Sequence, residues 1–243
     1  MFDLTLDGAV ARLSLNRPEA RNAIPAQGWP ELARCCAKAA TSGARLLILS
    51  GTREAFCAGA DLADFPALVD DPAAATAFRL AMREGLDALR EVPIATLAAI
   101  DGPCYGAGVA LALACDMRVA GPSARFAITP AKFGISYPQE DVARLVALVR
   151  PGQASRLLLG AGTIDSAEAA RIGLVELNAA DDTVGALAGA ILANSGASIA
   201  ALKRAVRLAG EGVSRDDEQD RRFDALFGTA DFQERLAALR PRR

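Results

Sequence analysis

The 243-residue chain is 52% hydrophobic and 23% charged, with a formal net charge of −2. That is enough apolar material for one sizeable core, and it excludes global disorder. The balanced charge leaves no footprint for nucleic acid, and no uninterrupted apolar stretch reaches bilayer length, so neither nucleic acid nor membrane is expected as a partner. The chain has no histidine. Ser-His-Asp and Cys-His catalysis and histidine-ligated metals are thereby excluded, and proton transfer falls to Asp, Glu, Tyr, Lys or water.

Phe2, Leu4 and Leu6 alternate, Asp7-Gly8 turns, and Ala11, Leu13 and Leu15 alternate again. This reads as a β-hairpin, and the start lacks the basic region and apolar run of a signal peptide. After Asn16-Arg17-Pro18, a helix carries Leu32, Cys35, Cys36 and Ala39 on one face and closes at Gly43. Arg45 to Ser50 reads as a buried strand and Gly51 to Ala60 as a loop. Asp71-Pro72 opens a helix running to Arg90, and Val92 to Ile100 is a second buried strand. Gly102 to Gly108 is then a loop leading into an Ala-rich helix.

Met117–Ala120 and Arg125–Ile128 read as short strands, Val142 to Val149 as an apolar-periodic helix, and Asp165-Ser-Ala-Glu168 as a capping box before a short helix closed by Gly173. Leu174 to Leu177 is a last candidate strand. From Asp181 to Leu239 the pattern is helical, broken at Asn194-Ser-Gly196 and Gly210-Glu-Gly212, and the basic end Arg240–Arg243 reads as a solvated tail. Strands alternating with helices give an α/β layered core with a helical C-terminal region. The five cysteines (Cys35, Cys36, Cys57, Cys104 and Cys115) lack metal-type spacing and sit in apolar segments. Reduced buried thiols in a cytoplasmic protein are the expectation.

Two loops carry the candidate chemistry: Ala55-Phe-Cys-Ala-Gly-Ala-Asp-Leu62 and Gly102–Gly108, each following a parallel-type strand. Ligands of open α/β sheets bind at such carboxyl ends. Backbone N–H groups from two loops can converge on one oxygen, and a helix start adds free N–H groups. A dinucleotide site is disfavoured because Leu111 stands where a third glycine belongs. No Walker A loop is present.

With Leu13-Ser-Leu-Asn-Arg-Pro-Glu-Ala-Arg-Asn-Ala23, these loops make the chain resemble the crotonase superfamily, the enoyl-CoA hydratase/isomerase family. Further matching pieces follow in the family's order: Ala114-Cys-Asp-Met-Arg118, Ala124-Arg-Phe126, and Gly160 through Asp165-Ser-Ala-Glu168 to Gly173-Leu-Val175. The resemblance implies a spiral of ββα units, with residues 1–190 as an α/β core and 191–243 as a helical oligomerisation region. It implies a homotrimer or dimer of trimers. It also implies an acyl-CoA thioester as substrate, no permanently bound cofactor and no metal. The thioester oxygen would be held by the N–H groups of Ala60 and Ala107. Arg21, Ala23, Ala58, Ala60, Asp61 and Leu62 match the stretch that cradles coenzyme A, with Tyr105, Gly106, Thr129 and Pro130 beside the acyl site.

Hydratases of the family use two glutamates, and the matching positions here are Ala110 and Pro130. Two-glutamate addition of water is therefore not expected. Thr129-Pro-Ala-Lys-Phe-Gly-Ile-Ser-Tyr137 resembles a stretch of methylmalonyl-CoA decarboxylases, which make an enolate by losing carbon dioxide. That leaves a decarboxylase and a catalytically retired acyl-CoA binder as alternatives. The candidates for proton transfer are Tyr137, Glu140 and Asp141; a packed tyrosine and ordinary helix N-terminal charge are the plainer readings of the three. Asp61 and Asp64 either face the pocket or, the plainer reading, serve the coenzyme A loop or meet solvent. Lys132 meets a phosphate or only solvent, and Arg79 and Arg83 either line the acyl mouth or, the plainer reading, lie at the surface.

Overall fold

The structure, a computed structural model, describes residues 1–52, 54–179 and 182–239. Arg53, Ala180, Asp181 and the basic end Arg240–Arg243 lie outside the described residues. The expected hairpin forms from β1 (Phe2–Asp7) and β2 (Val10–Leu15), in a register from Phe2↔Leu15 to Asp7↔Val10. Helix α1 (Gly28–Thr41) follows, then β3 (Leu46–Ser50), α2 (Pro72–Glu91) and β4 (Ala95–Ile100). Asp71 opens α2 by accepting the N–H groups of Ala73 and Ala74, as an N-cap carboxylate does.

A short β5 (Pro103–Tyr105) precedes α3 (Ala107–Leu113), β6 (Met117–Ala120), β7 (Arg125–Ala127) and α4 (Gln139–Gly160). The main sheet has the order β1-β2-β3-β4-β6-β9, antiparallel only between β1 and β2, with β9 at Leu177–Asn178. β5 and β7 form a smaller sheet with β8 (Ile164–Asp165).

The β3 sequence Leu-Leu-Ile-Leu-Ser explains its central place. Leu47 and Leu49 enter one core cluster with α1, α2 and α3; Leu46 and Ile48 enter a second cluster on the opposite face. A strand buried on both faces reads as a continuous apolar run. The second face is covered by α6 (Thr183–Leu192) and α7 (Gly196–Gly210). Among the described residues no single helix is long and apolar enough to cross a membrane.

Three local expectations are corrected. Residues 103–105 are not loop: Cys104 pairs with Phe126 in the small sheet. The last strand is shifted from Leu174–Leu177 to Leu177–Asn178, because Leu174 and Val175 N–H groups are taken by the Ala169 carbonyl in the turn that ends α5 (Ser166–Ile172). The capping box is half formed. Asp165 accepts the Glu168 N–H, but the Glu168 carboxylate binds Arg156 and Arg171 instead of turning back. In α4 the helical dihedrals break at Arg150, where the following Pro151 disfavours helical geometry. The chain ends in α8 (Asp217–Leu226) and α9 (Ala230–Ala238), where Phe223, Phe227 and Phe232 stack edge to face at 5.2 and 5.3 Å.

Candidate active site

The carboxyl ends of β3 and β4, neighbouring parallel strands, release the two loops on the same side of the sheet. The loops are zipped to each other. The Cys57 N–H donates to the Pro103 carbonyl at 3.0 Å, and the Tyr105 N–H donates to the Cys57 carbonyl at 2.9 Å. Cys57 and Cys104 face each other across this parallel bridge, both fully buried. Burial pushes the Cys57 thiol up to about 12 and the Cys104 thiol also well above its ordinary value, so both are packing thiols rather than nucleophiles.

Two glycines let the ribbon close. A Cβ on Gly108 would lie 2.5 Å from the Cys57 carbonyl oxygen. Gly59 holds φ at +113°, a region L side chains rarely adopt, and a Cβ there would stand 3.5 Å from the Ala107 nitrogen. The second loop thus arrives beside the first at the start of α3.

On the outer side the first loop is tied to residues 17–26. The Ile24 N–H donates to the Gly59 carbonyl at 2.8 Å, the Asp61 N–H to the Ile24 carbonyl at 2.9 Å, and the Ala58 N–H to the Arg21 carbonyl at 3.0 Å. These bonds use the peptides on either side of Ala60 and leave its own N–H without an acceptor among the described residues. The Ala107 N–H, in the first turn of α3, likewise has none. Two unpaired backbone donors from adjacent loops, one at a helix N-terminus, are suited to holding an oxyanion.

Other expected residues separate into groups. Ala58 and Ala60 are half-buried on the first loop, Ala23 is buried behind it, and Arg21 and Leu62 are exposed at its edge. Asp61 serves the loop. It accepts the Ala63 N–H as N-cap of a short 3-10 turn and pairs with Arg17; those bonds, the Ala63 N–H first, hold its carboxyl below the usual range. Asp64 accepts the Ala26 N–H at 2.6 Å. Tyr105, Gly106, Thr129 and Pro130 lie together: the Gly106 N–H donates to the Ala127 carbonyl, and a Cβ on Gly106 would stand 3.8 Å from the Thr129 hydroxyl. Lys132 and Arg79 are exposed.

The three proton-transfer candidates do not converge. Tyr137 reaches the loops, but its hydroxyl donates to the Gly106 carbonyl at 3.0 Å. Burial, then the Asp141 charge, push this phenol well above its ordinary value. Glu140 is exposed and lines a different cavity, of about 610 Å³, at the C-terminal end of α3 with Arg83, Arg90, Lys203 and Arg207. Asp141 lies in the first turn of α4, where the plainer reading put a helix N-terminal charge, and it is fully buried there. One carboxylate oxygen accepts from Arg83 at 3.0 Å and Arg144 at 3.2 Å; the other has no partner among the described residues. Desolvation raises its pKa, against the pull of the two guanidinium groups. Arg83, expected at the surface, is instead drawn inward by this pair and by Asp87.

Two residues quoted only as motif letters carry structural work. Asn22 is fully buried and donates to the Ala55 carbonyl at 2.8 Å and to Phe56, while its side-chain oxygen accepts the Arg17 N–H. It fastens the segment after the hairpin to the first loop. Arg118, 4% exposed, donates to the carbonyls of Cys115 and Leu174 and to Glu176, closing the C-terminal end of α3. For Arg118 the signal in the sequence was a charged residue inside the apolar stretch Met117–Ala120, which must find partners when buried; Asn22, next to Arg21 in a polar segment, carried no such signal.

The sequence model of the enoyl-CoA hydratase/isomerase family matches residues 5–238. The probable enoyl-CoA hydratase echA6 of Mycobacterium bovis is 36% identical over 174 residues, 72% of this chain and 69% of its own length. The Mycobacterium leprae protein of that name is 30% identical, over 98% of this chain and 95% of its own. Among solved structures, an enoyl-CoA hydratase/isomerase family protein from Hyphomonas neptunium superposes with a TM-score of 0.93 at 33% identity, covering 100% of this chain and 96% of that one. An enoyl-CoA hydratase/carnithine racemase from Magnetospirillum magneticum gives 0.93 at 30% identity, covering 100% and 93%. The fold is the crotonase fold, and the chain belongs to the enoyl-CoA hydratase/isomerase family.

Proposed function

We propose that this protein is an acyl-CoA enzyme that holds a thioester oxygen between the N–H groups of Ala60 and Ala107 and stabilises the enolate formed there. The observation that carries the reading is the pair of acceptor-free N–H groups on two loops locked side by side. Negative charge growing on the thioester oxygen gains more from such fixed donors than the neutral carbonyl does, and only that difference accelerates a reaction. Coenzyme A enters as part of the substrate, along Arg21, Ala23, Ala58, Asp61 and Leu62, and no resident cofactor is needed.

The reaction is not a two-glutamate hydration, because Ala110 and Pro130 offer no proton. A decarboxylation, which releases an enolate without a base, fits a site of backbone donors. The hydroxyl of Tyr137 is committed to Gly106, which argues against its direct contact with a substrate carboxylate. A retired binder is favoured by the same two substitutions. We also propose assembly as a trimer or dimer of trimers through residues 191–239, whose exposed Phe223, Phe227 and Leu239 favour a partner surface.

Calorimetry with acetoacetyl-CoA, an enolate-prone thioester, tests the site. Binding tighter than coenzyme A alone, lost in Ala107→Val, is expected; equal affinity for the two ligands refutes the oxyanion reading. A panel of crotonyl-, 3-enoyl- and methylmalonyl-CoA then separates an enzyme from a binder.

A further inference from the structure

Gly106 and Ala107 share one peptide unit. In a trans peptide the carbonyl and the following N–H point in opposite directions across a rigid plane, and no peptide bond among the described residues is cis. Whatever holds the Gly106 carbonyl therefore aims the Ala107 N–H. That carbonyl is held three times: by the Val109 N–H at 3.0 Å, by the Ala110 N–H at 3.4 Å, and by the Tyr137 hydroxyl at 3.0 Å. The first two belong to any helix start. The third comes from 31 residues away, and helix formation does not require it. On the other side, the Gly106 N–H is fixed by the Ala127 carbonyl at 2.8 Å.

We infer that Tyr137 is a positioning residue for the Ala107 donor. Its O–H pins the Gly106 carbonyl, which both orients the Ala107 N–H and polarises it through the shared amide. Hydrogen bonds in such a chain strengthen each other by roughly 10–30%. The buried phenol, beside Asp141, stays protonated and remains a donor. Ala110 is fully buried, and its backbone N–H also bears on the phenol oxygen. The inference rests on the proposed function only for the ligand's identity; the peptide geometry stands without it.

The test is Tyr137→Phe, which removes the hydroxyl and keeps the ring. Gly59-Ala60 and Gly106-Ala107 are both Gly–Ala peptides. Labelling glycine with carbonyl carbon-13 and alanine with nitrogen-15 thus makes both donors visible in one small set of NMR signals. Without ligand, the Ala107 nitrogen is expected to shift upfield while Ala60 stays in place. Replacing the two tyrosines with 3-fluorotyrosine, a stronger donor, should move Ala107 the other way, a readout that stands even if the phenylalanine variant folds poorly. Acetoacetyl-CoA should bind about three- to tenfold more weakly to Tyr137→Phe, the range of one net hydrogen bond, with coenzyme A alone unchanged. An unmoved Ala107 signal, or equal weakening of both ligands, overturns the inference. If Ala107 moves but the unmodified protein does not discriminate acetoacetyl-CoA from coenzyme A, the positioning role stands and the acyl-CoA reading falls.

Discussion

The two ends of α3 differ in kind. At its N-terminal end, around Gly106 and Ala107, the polar groups named above are uncharged: backbone amides and the hydroxyls of Tyr137 and Thr129. At its C-terminal end, charge is dense: Asp116 takes the Thr96 N–H and hydroxyl and pairs with Lys203, Arg118 caps the Cys115 carbonyl, and Arg83, Arg144, Asp87 and Asp141 knit α2 to α4. The ionisable residues that would first be suspected of catalysis sit mostly at the end without free backbone donors. In this protein, titratable side chains hold the frame, and the candidate chemistry belongs to the chain's own amides.

That contrast can be broken by placing charge at the uncharged end. Ala110→Glu is expected to lower unfolding stability by about 4 kcal/mol or more, because a carboxyl enters a fully buried site with no partner. Urea denaturation measures this. Hydration of crotonyl-CoA by an undamaged Ala110→Glu, Pro130→Glu protein would show that the site accepts acid–base residues after all. Removing charge from the other end comes next. Arg118→Met leaves the Leu174 and Cys115 carbonyls and Glu176 without their donor and should cost about 3 kcal/mol. Binding of acetoacetyl-CoA to the folded fraction should be unchanged.

Gly108→Ala presses a methyl group onto the Cys57 carbonyl. It should cost about 2 kcal/mol and weaken acetoacetyl-CoA binding as well, since it parts the two loops. The smallest effect is on pH dependence. The folded-state pKa of Asp141 lies above the unfolded value of about 3.9, so its contribution to stability is full below that value and is lost as pH rises through the folded pKa. The unfolding free energy of the unmodified protein minus that of Asp141→Asn should fall as pH rises above about 4. A flat difference would mean that the guanidinium groups fully offset the burial.

The main architecture was legible because its causes are local. Alternation at Phe2–Leu15, the unbroken apolar run of β3 and the Asp71-Pro72 start each specify their element without reference to the rest. The close approach of the two loops was legible as well, since small residues after two strands ask for it; Ala60 and Ala107 as the donors came from the family resemblance alone. What failed was long-range. β5 exists only because β7 lies beside it. Arg83 reads as a surface arginine until α4 brings Asp141 against it. Tyr137 reads equally as a donor to an acyl group or as a packed tyrosine, and neither reading names the partner observed, a carbonyl 31 positions earlier. Short strands and buried charge pairs are made by tertiary contact, which local periodicity does not encode.

The ribbon joining Cys57 to Tyr105 has a consequence in time as well as in space. Amides bonded across it, such as those of Cys57 and Tyr105, exchange with solvent deuterium only when the loops part, whereas Ala60 and Ala107 carry no such bond. Each of these two amides therefore sits as a rapidly exchanging position within a slowly exchanging stretch. A ligand that fills the hole should erase that difference, slowing both amides together, because neither loop can open without the other.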